Sequence, residues 1–414
     1  MMIDLRDNYI EKIVVIEPLV DNYNDNLEEL KNEIFSLIES ADAIPLSFVA
    51  VKVREINPAT FIGTGKLEEI RQIAEEFDAN CVLFDGQLSP SQTVNMSDLL
   101  GVKVIDRTTL ILDIFAKNAK SHEGKLQVEL AQLNYMYPRL KGKGASLSRL
   151  GGGIGTRGPG ETQLETDRRH IRTRIDYLKN QLEDLKTRRN LQSYRRSKNS
   201  ETVVSLVGYT NTGKSTLLNL LTGSSVLAEN KLFATLDPTI RKAKIDELEL
   251  LIVDTVGFIK NIPTNIVEAF NSTLESAVSS DLNLIVLDGF GAWENQLDVT
   301  LSTLKQLKSN AEYIIVVNKC DKIEDFTYFP KDAIFISAKT GYGIENLKKA
   351  ITDKLLSSYV KTTLVLEYSQ LKEVNKLLNY LESFEFIYND TEVLVNITVK
   401  KIYFDKFIKF KKVK

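Results

Sequence analysis

Eight consecutive residues near the middle of the chain, Gly208-Tyr209-Thr210-Asn211-Thr212-Gly213-Lys214-Ser215, have the types and spacing to hold a chain of phosphates. Glycines let successive backbone N–H groups converge on phosphate oxygens. A helix opening directly after them adds the partial positive charge of its N-terminus. Lys214 can reach the outer phosphates, and the Ser215 hydroxyl suits Mg²⁺. The surroundings agree: the apolar run TVVSLV (202–207) reads as a strand leading in, and Thr216 with LLNLLTG reads as a helix leading out.

Three further segments follow in order. LELLIVD (248–254) reads as a buried strand that delivers Asp254-Thr255-Val256-Gly257. There Asp254 would serve the Mg²⁺ shell and the Gly257 N–H would sense the terminal phosphate. YIIVVN (313–318) delivers Asn318-Lys319-Cys320-Asp321, whose last carboxylate can accept from both N1–H and the exocyclic amine of guanine. Adenine lacks that amine, and an acid left unpaired penalises the wrong base. Ser337-Ala338-Lys339 is placed to contact guanine O6 through its backbone. Each pattern alone is a common turn; four in series specify a guanine-nucleotide site, with GTP or GDP as ligand. A loop closing over the nucleotide is expected at Phe233-Ala234-Thr235-Leu236-Asp237-Pro238-Thr239, with Thr235 as the threonine ligand to Mg²⁺ and Thr239 as the alternative. Lys214, Thr235, Asp254 and Gly257 are the residues expected to carry hydrolysis.

Two positions bear on the rate. Many GTPases place a glutamine after the DxxG glycine to orient the attacking water. Phe258 stands there instead and cannot hydrogen-bond water through its side chain, so slow intrinsic hydrolysis and a contribution from a partner are expected. Asn211 resembles the asparagine that cation-activated relatives use to bind K⁺ beside the phosphates; the plainer reading is that it shapes the loop.

These residues need strands and helices to position them. From 202 to about 357, strands and helices alternate as in a mostly parallel sheet. Before it, KIVVIEPLV (12–20), LSFVAVKVREI (46–56), CVLFD (81–85) and VKVID (102–106) read as strands, with a helix over 27–40. Residues 107–137 read as one long helix ended by Pro138, with Leu126, Leu130, Leu133 and Tyr137 on a stripe. A second long helix is expected over roughly 161–196, its stripe formed by Leu164, Ile171, Ile175, Leu178, Leu182 and Leu185. Such narrow stripes suit an antiparallel hairpin. Tyr135 and Tyr137 could stack on bases, but lying near the stripe they read as core. Between the helices, residues 141–160 hold eight of the 21 glycines together with Lys141, Lys143, Arg149 and Arg157. That loop could lay its backbone against a polyanion; the plainer reading is a linker. SYRRSKNSE (193–201) reads as a hinge, and 361–414 as a small α+β unit with a helix around 369–382. The expected organisation is therefore an α/β multidomain chain: an N-terminal α/β domain at 1–106, a helical hairpin at 107–198, a nucleotide domain at 199–358 and a small C-terminal domain at 359–414.

Composition narrows the classes. The chain has 414 residues, 43% hydrophobic and 26% charged, with 53 basic and 56 acidic residues. Residues 120–200 carry 18 Lys and Arg against 8 Asp and Glu, so a basic segment sits in an otherwise acidic protein. A nucleic acid is the first candidate partner for it, and a solvated charged helix the plainer reading. Two cysteines and two histidines make neither a disulfide framework nor a His-rich metal site, and point to a reducing compartment. No apolar run approaches the roughly 18–20 residues a membrane span needs, and the acids in MMIDLRDNYIEK argue against an export signal.

The chain resembles the HflX family of translational GTPases over nearly its whole length. GYTNTGKST, FATLDPT and DTVGFI are similar to that family's nucleotide motifs. EGKLQVELAQLNYMYPRL (123–140) followed by GGGIGTRGPGETQLETDRRHIRTRI (151–175) is more specific, and FIGTGKLEEI (61–70) resembles the family's N-terminal domain. The resemblance implies a cytoplasmic GTPase that binds the large ribosomal subunit and its rRNA and splits stalled or idle ribosomes, with the hairpin loop reaching toward the peptidyl-transferase region. Lys141, Lys143, Arg149 and Arg157 would then touch rRNA phosphate, and a monomer is expected off the ribosome. Thr212 and Asp288-Gly289-Phe290 depart from the family's usual residues, and the C-terminal segment is short. Two other readings stand beside this one. A nucleotide-gated RNA-binding adaptor that barely hydrolyses is kept open by Phe258. An ATP-driven rRNA remodeller would use Gly63-Thr64-Gly65-Lys66 as a second phosphate loop, but Leu67 stands where a hydroxyl would ligate Mg²⁺, and a helix-start turn is the preferred reading.

Overall fold

The computed structural model describes residues 10–20, 26–141, 159–198, 202–223, 232–233, 237–246, 248–259, 278, 280–357, 359–389 and 391–410. Three sheets organise them.

The first sheet comprises β1 (Lys12–Val20), β2 (Ile44–Val53), β3 (Cys81–Phe84) and β4 (Lys103–Asp106), all parallel in the order β2-β1-β3-β4. Helices α1 (Leu27–Ser40), α2 (Thr64–Glu76) and α3 (Pro90–Leu100) form the crossovers. The continuous apolar runs of β1 and β3 reflect burial on both faces. Ile13, Val15, Cys81 and Leu83 join one cluster with α1, while Val14, Ile16, Val82 and Phe84 join another with α2 and α3. Gly63 caps α2, and Lys66 in its first turn is paired with Glu69, so this glycine stretch is a helix start.

The long helix expected over 107–137 is two helices, α4 (Arg107–Asn118) and α5 (His122–Met136). Ala119 leaves the helical conformation at φ −68°, ψ 108°. Ser121 then starts α5, its hydroxyl accepting from the Gly124 N–H at 2.8 Å. Leu110, Ile111, Ile114 and Phe115 of α4 pack into the same cluster as β1. Helix α5 is sandwiched: Val128, Ala131 and Tyr135 enter that cluster, and the predicted stripe residues Leu130, Leu133 and Tyr137 are only half-buried. Tyr135 is core, as its position near the stripe implied.

Helix α6 (Pro159–Lys198) spans 40 residues, about 60 Å at 1.5 Å per residue. It runs through the expected hinge as far as Lys198. Arg174 grips Glu129 at 2.7 and 2.8 Å and Arg189 meets Glu123 at 3.1 Å. Contacts that ascend one helix while descending the other make α5 and α6 antiparallel. Ile175 and Leu178 of the predicted stripe are buried. The joining loop, with Lys143, Arg149 and Arg157, lies outside the described residues; Lys141 ends the 3₁₀ turn that follows α5.

The second sheet is ordered β10-β9-β8-β5-β7-β6, parallel except for β6. Its strands are β5 (Thr202–Val207), β6 (Thr239–Ile245), β7 (Leu248–Asp254), β8 (Leu282–Asp288), β9 (Glu312–Asn318) and β10 (Ile334–Phe335). Helices α7 (Lys214–Thr222), α8 (Trp293–Gln306) and α9 (Ile344–Ser357) cover it. The third sheet is antiparallel, β11 (Tyr359–Leu366), β13 (Val393–Lys400) and β12 (Leu381–Tyr388) in that order. The helix expected over 369–382 is broken here into 3₁₀ turns around α10 (Leu371–Asn375), and α11 (Lys401–Phe404) follows β13. No described helix is long and apolar enough to cross a membrane.

The carboxyl ends of β1 and β3, where the first sheet's strand order reverses, hold a buried charge cluster. Arg107 donates to Asp85 at 2.7 Å and to Glu33, and Glu17 is buried beside them. Burial, and then the charge of Asp85, raise the Glu17 carboxyl well above its ordinary pKa of 4.5, so it stays protonated at neutral pH. The folded state thus binds a proton that the unfolded chain releases above that value, and the group's contribution to stability falls as pH rises. Glu17→Gln keeps the shape without this dependence. The variant should gain about 1–3 kcal/mol over the wild type between pH 5 and pH 8, seen as a melting-temperature difference that widens with pH.

Candidate guanine-nucleotide site

The site is built where β5 gives way to α7. Gly208 sits at φ 144°, and a Cβ there would fall on the Val286 carbonyl of the neighbouring strand. Gly213, at φ 93°, begins α7; its Cβ would fall on Asn318 Nδ2. Only glycine satisfies both the left-handed backbone and the close approach. Asn211 adopts φ 59°, which asparagine tolerates better than most residues. The loop is pinned to the DxxG segment by two main-chain bonds: the Thr210 N–H donates to the Phe258 carbonyl at 2.8 Å, and the Phe258 N–H to the Gly208 carbonyl at 3.0 Å. Gly257 makes this approach possible, since a Cβ on it would lie 2.8 Å from Thr210 and 3.0 Å from Lys214 Nζ.

Lys214 is buried, with Nζ donating to the carbonyls of Gly208 at 3.1 Å and Tyr209 at 2.6 Å. Burial lowers its pKa to about 8, and the charge of Asp254 works against that. The Ser215 hydroxyl donates to Asp254 Oδ2 at 2.6 Å. A hydroxyl and a buried carboxylate side by side are the hard oxygen donors Mg²⁺ prefers, so these two residues fit the ion. Thr255 and Thr212 are structural: their hydroxyls donate to the carbonyls of Leu206 at 2.7 Å and Tyr209 at 3.1 Å. Thr216 lies in the first turn of α7.

The base-recognition segments converge from the ends of β9 and β10. Asn318 is buried; its Nδ2 donates to the Thr212 carbonyl at 2.8 Å and its Oδ1 accepts from the Ala338 N–H at 2.9 Å, tying the two segments to the phosphate loop. Lys319, at φ 62°, reaches the Asn211 carbonyl at 2.9 Å and Asp288 at 2.6 Å. Asp321 is exposed, and a hydrogen bond from Ser337 holds its carboxyl below the usual range. It is therefore an ionised acceptor facing solvent, as guanine recognition needs. Lys339 is exposed next to Ala338.

The Phe258 side chain is not exposed to solvent. It is fully buried among Val207, Ile285, Leu287 and Val317. At the closing loop, Ala234, Thr235 and Leu236 lie outside the described residues, while Thr239 is fixed in β6 opposite Asp254. The described ends of that loop are bound elsewhere. The Phe233 ring is buried edge-on against Phe115, with centroids 4.7 Å apart, and Asp237, expected to bind nucleotide, engages Lys120 and Ser121. Sequence reasoning missed these partners. Tyr209 was expected only as part of the phosphate loop; its hydroxyl also donates to Glu33 of the charge cluster, and the role of Asp288, which holds Lys319, was missed. Asp288 follows an apolar strand and could have been found as a strand-end acid; nothing in the sequence pairs Tyr209 with a residue 176 positions away.

Three family models match the chain. The GTP-binding GTPase N-terminal model covers residues 25–116, the GTP-binding GTPase middle-region model 118–196, and a model described as "50S ribosome-binding GTPase" 203–319. The chain is 48% identical over 353 residues to GTPase HflX of Caldanaerobacter subterraneus subsp. tengcongensis, covering 84% of this chain and 82% of that one. It is 41% identical over 406 residues to GTPase HflX of Lacrimispora saccharolytica, covering 96% and 95%. To GTPase HflX of Escherichia coli it is 41% identical over 351 residues, covering 82% of each.

The lowered Lys214 pKa has a sign that can be read in binding. Phosphate favours the ammonium form, so above pH 8 the empty site must take up a proton to bind. GDP affinity should be flat below that pH and weaken toward tenfold per pH unit above it. Calorimetric titrations in buffers of different ionisation enthalpy should report the proton uptake, and Lys214→Ala should lose both the binding and the pH dependence.

Proposed function

The chain belongs to the HflX family of GTPases and hydrolyses GTP, and on that premise we propose that it binds the large ribosomal subunit in the cytoplasm, as a monomer, and splits stalled or idle ribosomes. The observation that carries this reading is the match of residues 203–319 to a model described as a 50S ribosome-binding GTPase. The antiparallel helices α5 and α6 support it, because residues 141–160, where they are joined, hold eight glycines and four basic residues. Glycines allow close backbone approach, and Lys141, Lys143, Arg149 and Arg157 supply the charge that rRNA phosphate attracts.

In this reading the four nucleotide segments act together. The N–H groups of the 208–215 loop and Lys214 hold the phosphates, Asp321 selects guanine, and the backbone of Ser337–Lys339 frames the base. Ser215, Thr235 and the shell around Asp254 would hold Mg²⁺, which neutralises charge on the outer phosphates. The Gly257 N–H faces the terminal phosphate. With Phe258 locked in the core, no side chain follows Gly257 to orient the attacking water. Intrinsic turnover is then slow, and the ribosome supplies what is missing. Asn211, exposed and left-handed next to the phosphates, is the residue that would hold K⁺.

Turnover of GTP should be stimulated at least tenfold by large subunits and little by small subunits or naked rRNA, and ribosomes should separate into subunits in a sucrose gradient when the protein and GTP are present. Tight GTP binding with no stimulation by any of these would replace the reading with that of a nucleotide-gated RNA-binding adaptor. The stimulated rate should also fall severalfold when NaCl replaces KCl at matched ionic strength; equal rates would leave Asn211 as a loop-shaping residue only.

A further inference from the structure

We propose that the Thr210 hydroxyl is a catalytic group of GTP hydrolysis: it accepts a hydrogen bond from the attacking water and so aims a lone pair of that water at the terminal phosphorus. The inference rests on the reading of Lys214 and Gly257 as the residues that face the terminal phosphate.

An unpaired group marks the position. Thr210 is 6% exposed, and among the described residues its hydroxyl has no hydrogen-bond partner. Three other hydroxyls around the site are engaged: Thr212 donates to the Tyr209 carbonyl, Ser215 to Asp254 and Thr255 to the Leu206 carbonyl. A buried hydroxyl left unpaired opposes folding, and valine would offer nearly the same shape without that cost. The hydroxyl therefore calls for a partner that arrives with the substrate.

The side chain also stands where the reaction takes place. A Cβ built on Gly257 would lie 2.8 Å from Thr210 Cα and Cγ2 and 3.0 Å from Lys214 Nζ. Thr210 and Lys214 thus flank one point in front of Gly257. The Thr210 main chain is fixed there, its N–H donating to the Phe258 carbonyl at 2.8 Å. In this rotamer the methyl faces Gly257. A turn about χ1 exchanges methyl and hydroxyl, and an unpaired hydroxyl gives up no bond in turning. Phe258, buried in the core, offers nothing in its place. Water held by the hydroxyl in front of Gly257 then attacks. Its oxygen bonds to phosphorus as the bond from phosphorus to the bridging oxygen breaks, GDP leaves, and a proton of the water passes to a phosphate oxygen. Thr210 itself exchanges no proton; its contribution is orientation.

The test compares the full-length wild type with Thr210→Val, Thr210→Ala and Thr210→Ser, without ribosomes, by single-turnover hydrolysis of bound GTP. Thr210→Val keeps the shape and removes the hydroxyl, and its rate should fall by about tenfold, as should that of Thr210→Ala. Thr210→Ser keeps the hydroxyl and should hydrolyse severalfold faster than either. Affinities for GDP and for a non-hydrolysable GTP analogue should stay within about twofold in all three, because the hydroxyl meets the water rather than the nucleotide. Aluminium fluoride, which with GDP mimics the phosphoryl group in transfer, should tighten GDP binding in the wild type and in Thr210→Ser, and much less in Thr210→Val. The melting temperature of Thr210→Val should equal or exceed that of the wild type, since an unpaired buried hydroxyl is gone. If Thr210→Val does not fold, Thr210→Ala against Thr210→Ser decides. Wild-type rates without the hydroxyl would overturn the proposal, as would equal slowing in Thr210→Ser, or slowing matched by lost affinity for the analogue. If Lys214→Ala binds and hydrolyses GTP as the wild type does, the reading of this point as the terminal-phosphate position has failed, a result distinct from failure at Thr210 that removes the basis of the proposal.

Discussion

Close backbone approach without side chains is the constraint on which the nucleotide site depends. Three strands and two loops meet where phosphates must be surrounded by N–H groups, and there is no space for Cβ atoms between them. Gly208 lies against the Val286 carbonyl, Gly213 against Asn318, and Gly257 against Thr210. Each glycine faces a different element, so any one side chain would separate a different pair. The sheet order places these elements together: β5 lies between β7 and β8, and Asp254, Gly208 and Asp288 stand at the carboxyl ends of adjacent strands. The Asn318 amide then closes the arrangement by bonding to the Thr212 carbonyl on one side and the Ala338 N–H on the other.

Much of this was legible in the sequence because its signals are local. A glycine at a left-handed turn, a hydroxyl after a lysine and an acid after an apolar run each report a requirement of the few residues around them. The strands of the first sheet were legible for the same reason, since burial on both faces leaves continuous apolar runs in β1 and β3. The helix over 107–137 was misread because its apolar spacing runs on across the break, although Asn118, Ser121 and Gly124 there are weak helix formers. What ends α4 and restarts α5 is Ser121 acting with Asp237, 116 positions away. Likewise, the stripe along α5 marks the face toward α6, while Val128, Ala131 and Tyr135 are buried against β1 and α4. A helix covered on two sides has no single periodicity to read. In the C-terminal unit, the expected helix over 369–382 gave way to short turns, so helical spacing alone was not sufficient there.

The nucleotide domain and the N-terminal sheet do not have separate cores at their junction. Leu232, Phe233, Val256 and Ile259, which flank the phosphate site, are buried in the same cluster as Ile13, Val15 and Phe115. The polar contacts agree with this packing: Tyr209 donates to Glu33, and Glu33 is held by Arg107. The segments expected to respond to the terminal phosphate are therefore part of the wall of the first sheet.

This arrangement limits how the nucleotide state can be expressed. A well-packed apolar cluster resists gradual deformation, because separating its residues exposes surface at about 25 cal/mol per Å² and leaves gaps that forfeit contacts. If Phe233 and Val256 move when nucleotide binds or is hydrolysed, they must either carry α4 and β1 with them or leave the cluster and expose it. Small motions will favour the first course, since the Asn118 and Ser40 bonds travel with the ring. Helix α5 follows α4 after a break of only three residues, and α6 is clasped to α5 by Arg174 and Arg189. A displacement at the phosphate site, if it carried α4 and α5 with it, would reach the base of a helix about 60 Å long, where a small rotation becomes a large movement at the far end. The same packing would act in reverse: a force along the hairpin would reach Ser121 and Asn118, which are bonded to Asp237 and to the Phe233 carbonyl.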